Sequence, residues 1–288
     1  MDYSALIQNR KSVREFTDKK IPTSVQIEIE AYYQNVCQRL VPDLQTELCV
    51  FGDDTKEALE GAAGYNQFLV GAPHYLVLLS AKHERAEENA GYIMEDLVLK
   101  LCDMDLGSCW LTFTDSEQVK KALGIASDLD VAAIVAFGYG VKAKKRLRIN
   151  ILSMSNVDIS AKRHYFDPKR SVNDMVFMDI WGNSEGLEQY IGFFDDMLWE
   201  AFYAASLAPS YLNRQAYGFV IHDGSIILVS RPDSYNTEID GKLSLGIVLQ
   251  HFTSVASSWA GKLQWHFGPE AAALSLPEGY AVVASCVL

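Results

Sequence analysis

Residues 91–110 read GYIMEDLVLKLCDMDLGSCW, and residues 246–265 read GIVLQHFTSVASSWAGKLQW. In the first segment Ile93, Met94, Leu97, Val98 and Leu101 recur at helical spacing, which predicts a helix apolar on most of its face, ended by Leu106-Gly107. The second segment repeats the first at one constant offset. Gly246 stands where Gly91 does, Phe252 where Leu97 does, and Trp265 where Trp110 does.

The flanking sequence repeats as well. Ahead of the first segment come an opening helix to about Asn9 and a second helix from Thr23, with Val25, Ile29, Tyr33, Val36 and Leu40 in helical register. A strand over Gln45–Phe51 follows, then a polar helix-like stretch, then YLVLLS (75–80), an apolar run entered through Gly71-Ala72-Pro73. WLTF (110–113) and VAAIVAFGYG (131–140) are extended segments that close this half. In the second half a helix carrying Phe194, Met197, Leu198, Ala201, Phe202 and Ala205 stops at Ala208-Pro209, since proline disfavours helix at the residue before it. YGFVIHD (217–223) and SIILVS (225–230) read as strands around a tight turn, and YAVVASCVL (280–288) closes the chain. The same order of elements twice indicates an internal duplication. The expected organisation is α+β, with halves at 1–150 and 165–288 and a polar linker at 151–164. Each half would present an apolar face that its twin covers, as equivalent patches do across a two-fold axis.

Composition narrows the function. The chain of 288 residues is 49% hydrophobic and 22% charged, the mixture of a packed soluble protein. It has no charge-free apolar stretch of about 18 residues or more, and MDYSALIQNRK lacks the apolar core of a signal peptide, so a cytoplasmic location is expected. Five cysteines without a CxxC spacing fit reduced thiols, and six histidines without HExxH or HxxxH give no metal site. A net charge of -12 argues against a nucleic-acid surface. The bases nevertheless gather in two places: Arg10, Lys11 and Arg14, and Lys142, Lys144, Lys145, Arg146 and Arg148. Either cluster alone is readable as solvated surface, whereas two in an acidic chain suggest a small anionic ligand.

RKSVREF (10–16) sets three cations and a hydroxyl just after a helix, a combination suited to a terminal phosphate. FGYGVKAKKRLR (137–148) leaves an apolar strand through two glycines before its positive run. The chain has no GxxxxGK[ST], and GYGVKA is not GxGxxG, so the P-loop and dinucleotide-binding fingerprints are missing. In APSYLNRQ (208–215), Ser210 and Asn213 either cap a helix end and shape a turn or meet a polar ligand held by the other half.

Taken together, RKSVREF, GAP (71–73), LGSCW (106–110), FGYG followed by bases, and APSYLNRQ resemble the nitroreductase-like family of FMN-dependent oxidoreductases. GIVLQHF (246–252) is similar to a segment of the subgroup in which one chain mimics the usual two-subunit assembly. The resemblance implies a nitroreductase-like fold packed as a pseudo-dimer, with FMN at the interface of the halves. It assigns Arg10, Lys11, Ser12 and Arg14 to one contact with the cofactor, and Gly107, Ser108 and Cys109 to a loop near the flavin ring. Lys145, Arg146 and Arg148 form a basic tail to the phosphate, and Pro209, Ser210 and Asn213 are the other half's contribution. Asn66 is a further candidate, for the pyrimidine edge.

The implied chemistry is a ping-pong cycle. NAD(P)H gives hydride to the flavin and leaves, and a nitroaromatic or quinone then takes the electrons. No catalytic side chain is assigned. Trp110 either flanks the ring or packs in the core, and Cys109 reads as a small packed residue. A second, symmetry-related site is not expected, because VPDLQTEL (41–48) offers Asp43 in place of the serine and KRSVNDMVF (169–177) offers Asn173 where Arg14 stands. The partners expected are small-molecule acceptors, not nucleic acid or membrane, with the chain a monomer acting as a pseudo-dimer and free to form a higher oligomer. A flavin-binding protein without turnover, for storage or sensing, and a flavin-free anion-binding protein are the competing readings.

Overall fold

The computed structural model describes residues 1–52, 54–64, 68–141, 146–153, 156–162, 168–194, 196–268 and 274–288, with backbone alone for 146–153 and 156–162. Its first half runs α1 (Tyr3–Asn9), α2 (Thr23–Asn35), β1 (Thr46–Phe51), α3 (Thr55–Leu59), β2 (His74–Ser80), α4 (Ala86–Asp103), β3 (Gly107–Leu111), α5 (Ser116–Leu123) and β4 (Asp130–Gly138). A hairpin of β5 (Arg146–Ser153) and β6 (Asn156–Lys162) follows. The rest is β7 (Val176–Met178), α6 (Leu187–Gly192), α7 (Met197–Ser206), β8 (Tyr217–His222), β9 (Ser225–Ser230), α8 (Glu238–Ala260), β10 (His266–Phe267) and β11 (Ala281–Val287). No helix among the described residues is long and apolar enough to cross a membrane.

The duplication is visible in the sheets. The first has the order β1-β2-β4-β3 and the second β7-β8-β9-β11-β10, so β8, β9, β11 and β10 repeat β1, β2, β4 and β3, every pair antiparallel. Even the irregularity recurs. Between Leu78 and Leu79 the partner residue on β4 steps from Ala133 to Val131, leaving Ala132 as an extra residue. On β11 the partner steps from Val282 to Ala284, leaving Val283 extra at the equivalent place. An extra residue in one strand bends and twists it locally, so both sheets deform at the same point.

Strand alternation accounts for the unbroken apolar runs. In β2 and β4, Leu76, Leu78, Val135 and Phe137 face a cluster built on α2 and α4, while Tyr75, Val77, Leu79, Ile134 and Ala136 face one built on α3 and α5. A strand covered on both faces has no polar side to show. The second sheet is covered less evenly. Phe219, Ile221, Ile226 and Leu228 pack on α7 and α8, whereas the opposite face, with Val220, Ile227 and Val229, is closed by Trp181, Leu274, Leu276 and Tyr280 from connecting segments.

The halves meet along α4 and α8. A Cβ on Gly91 would lie 2.2 Å from the Leu243 carbonyl oxygen, and one on Gly246 would lie 1.9 Å from that of Glu88. Glu88 and Leu243 are separated by the same offset as Gly91 and Gly246, so this is a single contact made twice, with each backbone set against the glycine of the other helix. The approach requires residues without a side chain.

Within residues 151–164, expected to be a linker, 151–153 end β5 and 156–162 form β6. KRSVNDMVF does not repeat RKSVREF in space: it leads into β7, which lies parallel to β8 at one edge of the second sheet, whereas RKSVREF lies against β3 at the opposite edge of the first. Four similar letters adopt different environments because backbone pairing, not side-chain type, decides which sheet edge receives a segment.

Candidate functional site

RKSVREF leaves α1 at Arg10, whose extended backbone (φ -61°, ψ 133°) ends the helix. Ser12 then bridges Ser108 in parallel, the Val13 N–H donates to the Ser108 carbonyl at 2.8 Å, and Phe16 bridges Gly140. The segment thus lies as an irregular strand beside β3 and across the end of β4. Gly107 permits this, since a Cβ there would sit 2.7 Å from a methyl of Val13. Ser12, Gly107, Ser108 and Cys109 therefore share one place, with Lys11 and Arg14 exposed beside it and the Arg10 side chain only 9% exposed. Burial raises the Cys109 thiol, while the nearby charges of Arg14 and Arg10 pull it the other way. A thiol so held is a packed residue and not a nucleophile.

The second element, APSYLNRQ, is a strained turn. Leu212, Asn213 and Gln215 have φ of 48°, 56° and 43°, a region that side chains other than glycine adopt only at a cost of about 1–3 kcal/mol each unless the surroundings fix it. The surroundings do fix it. Asn213 Nδ2 donates to the Pro168 carbonyl at 2.8 Å, Asn213 Oδ1 accepts from Lys169 Nζ at 2.5 Å, and Lys169 also reaches the Ala208 carbonyl at 2.9 Å. Gln215 Oε1 accepts from the Arg170 N–H at 2.8 Å, its Nε2 donates to the Ser206 carbonyl at 2.7 Å, and Ser210 Oγ accepts from the Gln215 N–H at 2.9 Å. Lys169 and Arg170, at the start of the KRSVNDMVF stretch compared with RKSVREF, join Pro168 in clamping this turn.

Beside the first of these elements is Glu95, fully buried on α4. Oε2 accepts from Trp110 Nε1 at 2.8 Å, Oε1 lies 2.9 Å from His251 Nε2, and Arg10 Nε stands 3.7 Å from Oε1. His251, on α8 and also fully buried, faces the Ala204 carbonyl through Nδ1 at 3.0 Å. That oxygen can only accept, so the contact is a hydrogen bond through the tautomer with hydrogen on Nδ1. Tyr217 of β8 is close to the same group: burial raises its phenol, Gln215 and Arg170 oppose the shift, and Glu95 adds to it. Ile7, three residues before Arg10, and Ala208, one before Pro209, sit in one buried cluster with Tyr217. Both elements thus adjoin one buried cluster that also takes in residues of α4, α7 and α8.

Residues 3–175 match the family described as "Putative TM nitroreductase", which is more than half of the chain. The chain belongs to that nitroreductase family. Among solved structures it is similar to a putative nitroreductase from Thermotoga maritima MSB8, with 19% identity, coverage of 100% of this chain and 94% of that one, and a TM-score of 0.60. It is also similar, over about one half, to an FMN-dependent nitroreductase from Clostridium difficile R20291 (21% identity, 48% and 88% coverage, TM-score 0.43). A third is a putative NADH oxidase from Clostridium acetobutylicum (22%, 48% and 89%, 0.41). No curated protein matches. At such identities the Thermotoga structure shows a shared nitroreductase fold, spanning both halves of this chain.

Within this nitroreductase-family chain, the sequence-derived residues fall into two groups. Arg10, Lys11, Ser12, Arg14, Gly107, Ser108 and Cys109 come together on the first half, and Pro209, Ser210 and Asn213 shape the strained turn on the second. Asn66 and Lys145 lie outside the described residues, and Arg146 and Arg148 are placed by backbone only, in β5. Trp110, open between ring-flanking and core, is half-buried with its indole N–H committed to Glu95. Glu95 and His251 escaped the sequence reading. Their signal was present, as ionisable residues inside otherwise apolar helical runs, GYIMED and LQHF.

Proposed function

We propose that this protein is an FMN-dependent oxidoreductase that passes electrons from NAD(P)H to an electron-poor small molecule of nitroaromatic or quinone type, in a ping-pong cycle. One FMN per chain is held at the seam of two halves that act as a pseudo-dimer. The observation that carries the reading is the bridge between Ser12 and Ser108, which brings two guanidinium groups, a hydroxyl and the backbone of a glycine-bearing strand to one place. The donor set suits a phosphate monoester, because guanidinium binds phosphate through paired planar hydrogen bonds and no carboxylate belongs to RKS. Arg10 Nε is also buried without a hydrogen-bond partner among the described residues, its nearest opposite charge being Glu95 Oε1 at 3.7 Å.

Bound FMN supplies hydride acceptance and its onward transfer. The residues do the rest. Arg10, Lys11 and Arg14 neutralise the phosphate, and Ser12 adds a neutral donor. β3 presents backbone near the ring. The turn at 209–213, fixed by its clamp to 168–170, closes the site from the other half, with Ser210 Oγ accepting from Gln215 and left free to donate its hydrogen. A strained segment held by several hydrogen bonds is common at ligand sites. No side-chain acid is assigned, and the buried Cys109 thiol is not used.

Purified protein should be yellow, bleach with NADH or NADPH, and recover its colour with a quinone or a nitro compound. Colour that never bleaches supports the storage or sensing reading instead. R10A/R14A should lose flavin retention, and retention by that variant would falsify the phosphate assignment.

A further inference from the structure

Among the differences between the two sides of the α4–α8 seam, one at two adjacent positions coincides with the cradle. The counterpart of Glu95 on α8 is Gln250, and the counterpart of His251 on α4 is Asp96. Trp110 donates to Glu95 at 2.8 Å, whereas its counterpart Trp265 donates to Thr253 at 2.8 Å. Gln250 is 2% exposed, and its Oε1 is buried without a hydrogen-bond partner among the described residues. Among its described residues the second half also has no strand beside β10 to match RKSVREF beside β3. A buried carboxylate is therefore present on the side that has the basic turn and is replaced by an amide on the side that lacks it. Burying a charge is unfavourable unless it is paired, and its one-sided occurrence calls for a one-sided role.

We propose that Glu95 is the positioning residue of the phosphate cradle. It attracts the Nε edge of Arg10 and is itself held by Trp110 and by His251 of the second half, which aims the outer nitrogens of the guanidinium at the phosphate. The inference rests on the FMN reading above. It gives the second half a share in the cofactor site beyond the turn at 209–213, because the chain of contacts Arg10–Glu95–His251–Ala204 crosses the seam. Paired in this way, a guanidinium that is 9% exposed loses little further freedom when it binds its ligand.

The test compares FMN with riboflavin, which has the same ring but no phosphate, by fluorescence titration of the flavin-stripped full-length protein. Wild type should prefer FMN. E95Q, which installs the side chain found at the counterpart position, should bind FMN at least about tenfold more weakly, as expected for loss of a charged partner, with riboflavin changed by less than about twofold. R10A/E95Q should be no weaker for FMN than R10A alone, since residues acting as a unit are not additive. If E95Q weakens both ligands equally, or neither, Glu95 is structural and the inference fails. H251Q reads the same selectivity, with an FMN-specific loss expected and an equal loss overturning it, and it carries the test should E95Q not fold. A wild type that does not distinguish FMN from riboflavin overturns the cofactor reading itself, and this inference with it.

Discussion

Gly91 and Leu243 touch backbone to backbone, with the Leu243 carbonyl oxygen 2.2 Å from where a Cβ on Gly91 would be, and Gly246 repeats this against Glu88 at 1.9 Å. G91A and G246A should therefore each destabilise the protein by about 3 kcal/mol or more, the upper end of what overpacking costs. Gly241 lies on the same helix α8, but its nearest neighbour would be Asn236 Cβ at 4.0 Å, so G241A should stabilise by about 0.5–1 kcal/mol. Urea midpoints of the three variants check the contrast, and equal shifts would refute the close contact.

Asp96 gives a pH dependence with a defined sign. Its carboxylate accepts from Tyr3 Oη at 3.1 Å, Tyr32 Oη at 3.0 Å and Cys37 Sγ at 3.3 Å, yet burial outweighs these bonds and raises its pKa above the ordinary value. A raised carboxyl holds its proton in the folded protein where the unfolded chain has released it. Its contribution is complete below the unfolded pKa of about 4 and is lost as pH rises through the folded value. D96N, neutral throughout, should gain stability relative to wild type as pH rises from about 4. Glu88 and Asp240, also raised by burial, leave the same trend in the remaining protein. Denaturation of both proteins between acid and neutral pH measures the difference, and a constant gap rejects the assignment.

Thiol chemistry should be suppressed in the folded state. Cys37, Cys109 and Cys286 are 5%, 6% and 1% exposed, and burial raises all three thiols, that of Cys286 to about 12. Iodoacetamide should leave them unmodified until denaturant is added, as read by peptide mass spectrometry. Rapid native labelling of Cys109 would mean that the edge formed by β3 and RKSVREF opens readily.

Flavin stoichiometry tests the asymmetry of the halves. With β10 only two residues long and paired to β11 alone, the second half offers no basic strand among its described residues to mirror Ser12 beside Ser108. One flavin per chain is expected from absorbance against quantitative amino-acid analysis, and two would contradict the reading.

The sequence displayed its long elements well, because α4, α8 and the buried strands carry a strong hydrophobic period. Thr23 as the start of α2 and Ser225–Ser230 as a strand were legible in this way. Val36 and Leu40, which also fit the helical period, lie past the end of α2 at Asn35, since periodicity does not mark where a helix loses its support. β7 was hidden: three residues make a strand only when β8 lies alongside them, a relation that local composition does not encode. For the same reason KRSV was mistaken for a copy of RKSV. Ser12 and Ser108 were both named from sequence, but their adjacency is a matter of strand pairing. Glu95 and His251 were missed because each looks like a polar interruption of an apolar helix, and their meaning emerges only when α4 and α8 are placed side by side.

Joining the copies covalently has a consequence that the glycine contact makes concrete. In an association of two identical subunits, any substitution is written on both sides of the axis, so neither side can shed a segment that the other needs. Here Gly91 and Gly246 have stayed alike where the backbones meet, while Glu95 and Gln250, one helical turn further along, have gone separate ways. Fusion thus lets the two copies diverge independently wherever the meeting backbones do not hold them alike.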